Sequence, residues 1–308
     1  MSRQVVVVGS LNADHVVDVQ SLPLPGDTVL GRRRSETIFG GKGANQAAAA
    51  ASFGGPTAGV SMIGHVGDDE IGREMTGALE ALGVDVTGVG VVEGPSGRAT
   101  IVLDPDGQNL ILVEAGANAL LTPRDVETRQ VAEAVAVLVQ METPPETVAA
   151  ALRQASGVRV LNPAPAAGAM SVLGLADVVV PNRTELAILA GAPAARTHEE
   201  AVAQVRSLGL AAAVVVTLGA DGALVVEHGA DPVLVPASPV DVVDTTGAGD
   251  CFCGVLSLEL ARGRSLRNAC GAAVRAASLS VTGAGARGRL PVPSDFASFP
   301  SRDREAPC

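Results

Sequence analysis

The chain has 308 residues, of which 47% are hydrophobic and 18% charged, a balance that indicates a folded protein with a large core rather than a disordered one. Its net charge of −11 argues against nucleic acid or an anionic membrane as the main partner. The absence of Trp and Tyr removes the aromatic surface on which single-stranded nucleic acid stacks. No apolar run approaches the roughly 18 residues of a membrane span, and Met1 leads into a strand pattern without a leader signature, so we expect a cytoplasmic protein.

The four cysteines predict buried thiols rather than a disulfide framework or a metal site. They stand at Cys251, Cys253, Cys270 and Cys308, and no two of them form a CxxC pair. Such usage is typical of a reducing compartment.

The N-terminal segment reads as a buried central strand followed by polar side chains. Four valines at 5–8 end at Gly9, and Asn12 and Asp14 follow shortly after. Ligands in open α/β sheets bind beyond the carboxyl ends of the strands, which makes Asn12 and Asp14 candidate ligand contacts. A loop in which both side chains bond to nearby backbone explains the same pattern equally well.

Two stretches predict a small separate sheet. Residues 15–38 lack helical periodicity and read as extended chain, in which Arg32, Arg33 and Arg34 form a solvated face. Residues 97–113 contain two alternating runs around the turn signature at 104–107, which predicts a hairpin. We expect the two stretches to pair and form a lid.

The segment 40–45, Gly-Gly-Lys-Gly-Ala-Asn, precedes a helix predicted at 46–52. Its glycines let a ligand approach backbone N–H groups, Lys42 supplies a cation, and Asn45 both donates and accepts hydrogen bonds. It is not a Walker A loop. Residues 283–288 do match GxGxxG, but they follow a helical pattern rather than a strand, so we do not interpret them as a dinucleotide fingerprint.

Alternating strand and helix patterns fill most of the remaining chain and predict a parallel sheet with helices on both faces. The predicted strands are at 60–63, 135–140, 158–161, 178–180 and 213–217, and the predicted helices at 68–83, 124–135, 146–155, 184–190 and 199–208. Polar residues follow several strands, among them Glu142, Asn162, Asn182 and Thr217. Their gathering at one sheet edge predicts a single cleft.

The stretch 242–250 predicts an anion site with its own base. A β-branched run ends in Thr-Gly-Ala-Gly-Asp, and an apolar helix pattern follows at 252–261. A glycine turn at a helix N-terminus presents backbone N–H groups to an anion, and Asp250 beside it can accept a proton from an attacking hydroxyl. An ordinary strand-to-helix turn with Asp250 as a first-turn carboxylate remains the alternative.

Five motifs in order resemble the ribokinase branch of the phosphofructokinase-B-type sugar kinase family. They are Gly-Ser-Leu-Asn-Ala-Asp at 9–14, Gly-Gly-Lys-Gly-Ala-Asn-Gln-Ala at 40–47, Asn-Pro-Ala-Pro at 162–165, Pro-Asn-Arg-Thr-Glu at 181–185 and Asp-Thr-Thr-Gly-Ala-Gly-Asp at 244–250. The resemblance covers residues 5 to about 291 and implies a three-layer α/β/α fold with a parallel sheet and a small β lid. It divides the chain into a large domain (1–14, 39–96 and 114–308) and a lid (15–38 and 97–113).

The implied activity is phosphorylation of D-ribose at its 5-hydroxyl by ATP, with Mg²⁺ and K⁺ and with a homodimer formed through the lid. A related kinase for a nucleoside, fructose or a deoxy-sugar acid is the alternative. A non-catalytic sugar or nucleotide sensor is a third interpretation, which the intact base and glycine turn disfavour.

The resemblance also implies residue roles. Asp250 is the catalytic base, with an anion hole at Gly247, Ala248 and Gly249. Sugar contacts fall to Asn12, Asp14, Gly40, Gly41, Lys42, Asn45, Glu142 and Asp250. Nucleotide and phosphate contacts fall to Asn182, Glu185, Thr217, Gly219, Gly222 and Gly249. Potassium is assigned to Asp244, Thr246, Ser280, Gly283 and Gly285, and Mg²⁺, through water, to Glu185.

Two positions depart from the family pattern. Arg289 stands where a serine is expected beside the potassium, and Val274 where Asn or His is expected near the adenine. The first puts one potassium ligand in doubt, and the second predicts a looser nucleotide pocket.

Overall fold

The computed structural model describes residues 5–33, 38–106 and 108–296. Within these ranges the strands are β1 (Val5–Val8), β2 (Asn12–Asp18), β3 (Arg32–Arg33), β4 (Ile38–Gly40), β5 (Val60–Gly67), β6 (Asp85–Val92), β7 (Gly97–Leu103), β8 (Asn109–Glu114), β9 (Ala136–Val139), β10 (Val158–Leu161), β11 (Val178–Val179), β12 (Ala213–Thr217), β13 (Ala223–Val226) and β14 (Val233–Val235). The α-helices are α1 (Lys42–Gly54), α2 (Glu70–Ala81), α3 (Pro123–Val126), α4 (Arg129–Ala132), α5 (Pro145–Gln154), α6 (Arg183–Ala190), α7 (His198–Ser207), α8 (Ala248–Ala261) and α9 (Leu266–Ser280). Single 3₁₀ turns lie at Gly55–Thr57, Gly116–Leu120, Ala169–Ser171, Leu173–Leu175, Gly219–Asp221 and Pro293–Phe296.

A nine-stranded sheet in the order β14-β13-β12-β11-β10-β9-β1-β5-β6 forms the centre of the molecule. The strands from β12 to β6 pair in parallel, as alternating strand and helix patterns predict, while β13 and β14 are antiparallel at one edge. Successive strand side chains point to opposite faces, so Val5 and Val7 join one hydrophobic core and Val6 and Val8 the other. Helices cover both faces, which confirms the three-layer α/β/α fold.

Helices α1, α8 and α9 pack together over one face of the sheet. The α1 sequence contains a run of five alanines at 47–51, all buried, which lets its backbone come close to its neighbours. On α8, Gly254 faces the Gln46 carbonyl so closely that a side-chain carbon there would clash with it. This close packing brings the first turn of α1 against the first turn of α8.

A second, five-stranded sheet joins the two stretches that were expected to pair. Its order is β3-β2-β7-β8, with β4 also paired to β2, and β2 runs parallel to β7 from Asn12↔Gly97 to Asp18↔Leu103. Strands β7 and β8 form the predicted hairpin, although Gly107 of its turn and Arg34 of the first stretch lie outside the described residues. On β8, Leu112 and Val113 are 61% and 53% exposed.

Several expected boundaries are wrong. Helix α1 begins at Lys42 rather than at 46, because Gly41 takes a positive φ of 84° and turns β4 directly into the helix. The helix expected at 124–135 is two short helices, because Glu127 ends the first and Thr128 caps the second. Strands β6, β13 and β14 had no predicted counterpart.

Two chain-wide expectations can be compared with the structure. Cys251, Cys253 and Cys270 are buried free thiols, as expected, and Cys308 lies outside the described residues. None of the helices that the described residues form is long and apolar enough to span a lipid bilayer.

Candidate active site

Asp250 lies in the first turn of α8, buried to 8% exposure at the centre of a polar cluster. Helix α8 begins immediately after Gly247, whose φ of 76° belongs to the left-handed region that glycine adopts without strain. A side-chain carbon on Gly247 would come within 2.6 Å of Ala286 Cα, so the turn also requires a small residue for space. The predicted turn therefore exists, and it directs Asp250 toward α1.

Each carboxylate oxygen of Asp250 accepts a hydrogen bond from an amide of α1. Asn45 Nδ2 donates to Oδ2 at 3.1 Å, and Gln46 Nε2 donates to Oδ1 at 3.0 Å. Gln46 also donates to Asn162 Oδ1, and its own Oε1 accepts from Gln140 Nε2 at 2.6 Å. The carboxylate is thus held at both ends by donors whose positions are themselves fixed.

Burial raises the pKa of Asp250 above its ordinary value. Lys42 and the hydrogen bonds from Gln46 and Asn45 act in the opposite direction, while Glu142 adds to the rise. A helix N-terminus alone would favour the ionised form. The loss of water around the carboxylate outweighs that contribution, so Asp250 is a stronger base than an exposed aspartate.

Two further carboxylates, Asp14 on β2 and Glu142 after β9, lie near Asp250. Glu142 Oε2 accepts from Ser10 Oγ at 2.5 Å and from the Lys42 backbone N–H at 3.1 Å. Burial raises the pKa of Asp14 from 3.8 to about 7, and the charges of Glu142 and Asp250 add to the rise. These groups form a compact acidic site next to the lysine.

Asn12 is held by a residue that was not predicted. Its Oδ1 accepts from Asn118 Nδ2 at 2.8 Å, and Asn118 also exchanges hydrogen bonds with the Leu11 backbone. The Asn12 amide N–H groups therefore point away from Asn118. Gly40 lies against the Asp14 carboxylate, where a side-chain carbon would overlap it, and Gly41 packs against the backbone of Leu11.

Asp250 also lines a cavity of about 690 Å³. Its lining includes the residues expected at the phosphate and nucleotide, namely Asn182, Glu185, Thr217, Gly219, Gly222, Gly247, Ala248 and Gly249. Lys42, expected at the sugar, and the expected base Asp250 also line it. Val274 also lines it, together with Ala277 and Ser278 of the same helix. Lys42 and Asp250 are therefore common to the cavity and to the acidic site.

Asn182 and Glu185 form a reciprocal cap at the start of α6. Asn182 Oδ1 accepts from the Glu185 backbone N–H and Glu185 Oε2 accepts from the Asn182 backbone N–H, both at 2.8 Å. Burial raises the pKa of Glu185, which the Asn182 hydrogen bond and Lys42 oppose. The cap fixes both side chains at the cavity wall.

Hydrogen bonds beside the glycine turn join Asp244, Thr246 and Gly285, three of the five residues expected around potassium. Asp244 accepts from the Thr246 N–H at 2.9 Å and from the Gly285 N–H at 2.8 Å. Partial burial opposes its ionisation, yet these hydrogen bonds prevail and lower the pKa of Asp244. Ser280 donates its hydroxyl to the Ala277 carbonyl, and Arg289 pairs with Asp295 at 2.9 Å instead of reaching back into the loop.

Five polar residues of the site had no predicted role: Ser10, Gln46, Asn118, Gln140 and Arg287. Ser10 and Gln46 stand inside the quoted motifs, so their positions were visible although their contacts were not. Asn118, Gln140 and Arg287 lie outside the motifs, and only the fold brings them to the site.

Comparison with known proteins agrees with this geometry. The family model described as pfkB family carbohydrate kinase matches residues 2–293. Ribokinase of Haemophilus influenzae is 36% identical, covering 97% of this chain and 99% of the relative, and deoxyribokinase of Salmonella typhi is also 36% identical, covering 96% and 98%. The structure of Arabidopsis thaliana ribokinase complexed with ribose and ATP is 33% identical with a TM-score of 0.82, covering 96% of this chain and 97% of that one. With these matches over nearly its whole length, the chain belongs to the pfkB family of carbohydrate kinases and is an ATP-dependent sugar kinase.

Proposed function

We propose that this chain transfers the γ-phosphoryl group of ATP to the 5-hydroxyl of D-ribose, giving ribose 5-phosphate and ADP. The observation that carries the proposal is the position of Asp250. It lines a cavity large enough for a nucleotide, and it also belongs to a compact group of polar side chains suited to holding a sugar. The ribokinase relatives, one of them bound to ribose and ATP, support ribose as the acceptor.

On the sugar side, we assign the hydroxyl contacts to Asn12, Asp14, Gly40, Gly41, Lys42, Asn45 and Glu142. Asn12 uses Oδ1 internally, which leaves its amide N–H groups to donate to the sugar. Asn45 likewise uses one N–H on Asp250 and has a second to offer. Closely spaced carboxylates and amides can form two hydrogen bonds to each hydroxyl of a small polyol.

For the transfer, Asp250 accepts the proton of the 5-hydroxyl as its oxygen bonds to the γ-phosphorus and the bond from phosphorus to the ADP oxygen breaks. The N–H groups of Gly247, Ala248, Gly249 and Asp250 at the start of α8 stabilise the negative charge of the transferring group. Lys42, which lines the cavity and faces the Asp250, Glu142 and Glu185 charges, contributes a cation between the two substrates.

On the nucleotide side, we assign Asn182, Glu185, Thr217, Gly219, Gly222 and Gly249 to ATP and its phosphates. Glu185 uses Oε2 in the helix cap, and we assign Oε1 to a water of Mg²⁺, which prefers phosphate and water oxygens to many carboxylates. Magnesium, when bound, neutralises phosphate charge.

For potassium, we assign Asp244 and the surrounding backbone at Thr246, Ser280, Gly283 and Gly285. The lowered pKa of Asp244 keeps one negative charge in the loop, and carbonyl oxygens are suitable ligands for K⁺. Potassium, when bound, adds positive charge beside the anion-binding turn. Since Arg289 pairs with Asp295, its charge is directed away from the loop.

We further propose that residues 15–38 and 97–113 act as a lid that excludes water from the sugar, and that two chains pair through it in the cytoplasm. The exposed Leu112 and Val113 of β8 support the pairing, because apolar side chains on a sheet edge favour contact with another surface.

The test is ATP consumption by the purified protein with Mg²⁺ on ribose, 2-deoxyribose, fructose and adenosine, each with and without K⁺. We expect the highest kcat/KM on ribose and a higher rate with K⁺. A higher kcat/KM on 2-deoxyribose, the acceptor named for the Salmonella relative, would retain the mechanism and refute the substrate. Binding of sugar or nucleotide without turnover on any acceptor would favour a sensor instead.

A further inference from the structure

Arg287 is a cation in the site that the proposed mechanism has not used. It lies in the loop after α9, which the hydrogen bond from Gly285 N–H to Asp244 Oδ2 ties to the glycine turn. Its side chain is half-buried and extends across to α1, where Nε donates to Asn45 Oδ1 at 2.9 Å and Nη2 approaches the Gly40 carbonyl at 3.4 Å.

The contacts of Asn45 allow only one orientation of its carboxamide. A guanidinium donates hydrogen bonds and accepts none, so Asn45 must present its oxygen to Arg287. An ionised carboxylate only accepts, so Asn45 must present its nitrogen to Asp250. Both requirements are met together when Arg287 stands on one side and Asp250 on the other.

The charges around this relay keep Arg287 in place. Asp250 and Asp14 are the acidic groups that face Arg287, and they oppose the effect of burial on its pKa, which falls only to about 10. Lys42, Glu142 and Glu185 also face Asp250 from α1, from the end of β9 and from α6. Arg287 thus remains charged at neutral pH, and its hydrogen bonds to Asn45 and Gly40 hold it beside the two acidic groups.

We infer that Arg287 is a positioning residue for phosphoryl transfer, which acts through Asn45 to keep an amide N–H directed at the catalytic base. This inference rests on the proposed function. When Arg287 is lost, the Asn45 amide gains a second orientation that turns its oxygen toward Asp250, where two acceptors repel each other. The base then loses one of its two donors in part of the molecules.

The kinetic test is a double-mutant cycle between Arg287→Gln and Asn45→Ala, with ribose and ATP as substrates. We expect Arg287→Gln to lower kcat about tenfold while KM for ATP changes less than twofold, since neither Arg287 nor Asn45 lines the nucleotide cavity. In the Asn45→Ala background, the same substitution should lower kcat by less than twofold. Arg287→Lys should recover part of kcat, because an ammonium also donates to Asn45 Oδ1.

The matched control is Arg275→Gln, which removes one positive charge from an exposed position on α9. It should leave kcat unchanged. Equal kcat for Arg287→Gln and the wild type, or full additivity of the Arg287 and Asn45 effects, would overturn the inference.

A second readout does not depend on turnover. The signal of the Asn45 side-chain amide is identified by its disappearance in Asn45→Ala. Its protons should exchange with solvent slowly in the wild type and faster in Arg287→Gln. Amides in the core away from the site should exchange at the same rate in both proteins. Equal exchange in both proteins would contradict the positioning role. An inactive wild type with the expected exchange difference would refute the proposed function and leave the role of Arg287 in orienting Asn45 supported.

Discussion

Replacing Asp250 by Asn tests the centre of the mechanism with almost no change in side-chain volume. The substitution removes the proton acceptor and turns one carboxylate oxygen into an NH₂ group. Asn45 and Gln46 both present N–H groups to this side chain, and Arg287 and Gln140 fix those orientations. Whichever way the new amide turns, one of its ends therefore places a donor against a donor.

Two magnitudes follow from this geometry. Loss of a positioned general base lowers turnover by about 10²–10⁴, which is roughly 3–5 kcal/mol in the activation free energy. One unsatisfied buried donor lowers the free energy of unfolding by about 1–3 kcal/mol. The chain has a large core, so we expect a folded protein with a reduced Tm that still binds ribose and has lost most of its turnover.

Three measurements check this prediction: kcat from ADP production, ribose affinity by calorimetry and Tm by calorimetry. Asp231→Asn is the control, since Asp231 is exposed and precedes β14 at the far edge of the sheet. A kcat for Asp250→Asn within tenfold of the wild type would refute the base assignment. A loss of turnover matched by complete loss of ribose binding would instead indicate a binding role for Asp250.

Four further substitutions have expected outcomes. Lys42→Ala should weaken ribose binding without unfolding the protein. It should also shift the acid limb of the pH profile of kcat to higher pH, because Lys42 opposes the raised pKa of Asp250. If the ribose affinity and the pH profile both stay unchanged, Lys42 is not part of the site. The proton on Asp14 is bound more tightly in the folded chain, so the stability contributed by Asp14 is present below about pH 4 and lost as the pH rises to about 7. Asp14→Asn should therefore raise the free energy of unfolding by on the order of 2 kcal/mol at pH 8, after solvent screening, and leave it unchanged at pH 4. Chemical denaturation of both proteins at the two pH values measures this difference. Gly247→Ala should lower Tm and turnover through its contact with Ala286. Gly249→Ala should not lower Tm, because nothing crowds a side-chain carbon there and alanine is the better helix former.

Hydrophobic patterning predicted the order of most elements but missed three strands, β6, β13 and β14. Val5–Val8 is a continuous β-branched run, so its position in the middle of a buried sheet was predictable. Strands β6 and β14 are only partly buried, so their apolar patterns are weaker, and β13 is a buried run of just four residues that pairs antiparallel with β12 and β14. Pairing partners and register at an edge depend on turn geometry that alternation alone does not contain.

The start of α1 was missed for a local physical reason. Glycine is a poor helix former, and the run 40–43 contains three of them, so the helix was expected only from the alanine run onward. In the structure, Lys42 is the first helical residue, because Gly41 turns the chain from β4 into the helix with a positive φ. Gly43 packs so closely against Gly9 and Ser10 that no side chain fits there. Tertiary packing therefore makes residues 42–45 helical, although helix propensity alone disfavours a helix there.

The site could be located from its motifs, while the way in which the base is held could not. The turn before Asp250 and the amides of Asn45 and Gln46 stand in recognisable motifs, yet their mutual contact spans about 200 residues of sequence. Gln140 and Arg287 fix the orientation of those amides from two other segments. A hydrogen bond between such distant residues leaves no periodic pattern in a single sequence.

This arrangement separates what the motifs provide from what the fold provides. The glycine turn supplies N–H groups and a carboxylate in any protein that contains it, as a helix N-terminus does. The direction of the base depends on two amides whose orientations are set by partners outside the turn. Gly254 and the α1 alanines matter here as much as the polar groups, since only small residues let α1 and α8 approach closely enough for Gln46 to reach Asp250. Enlarging a residue at that helix contact should therefore reduce turnover by displacing the base, even though it touches neither substrate.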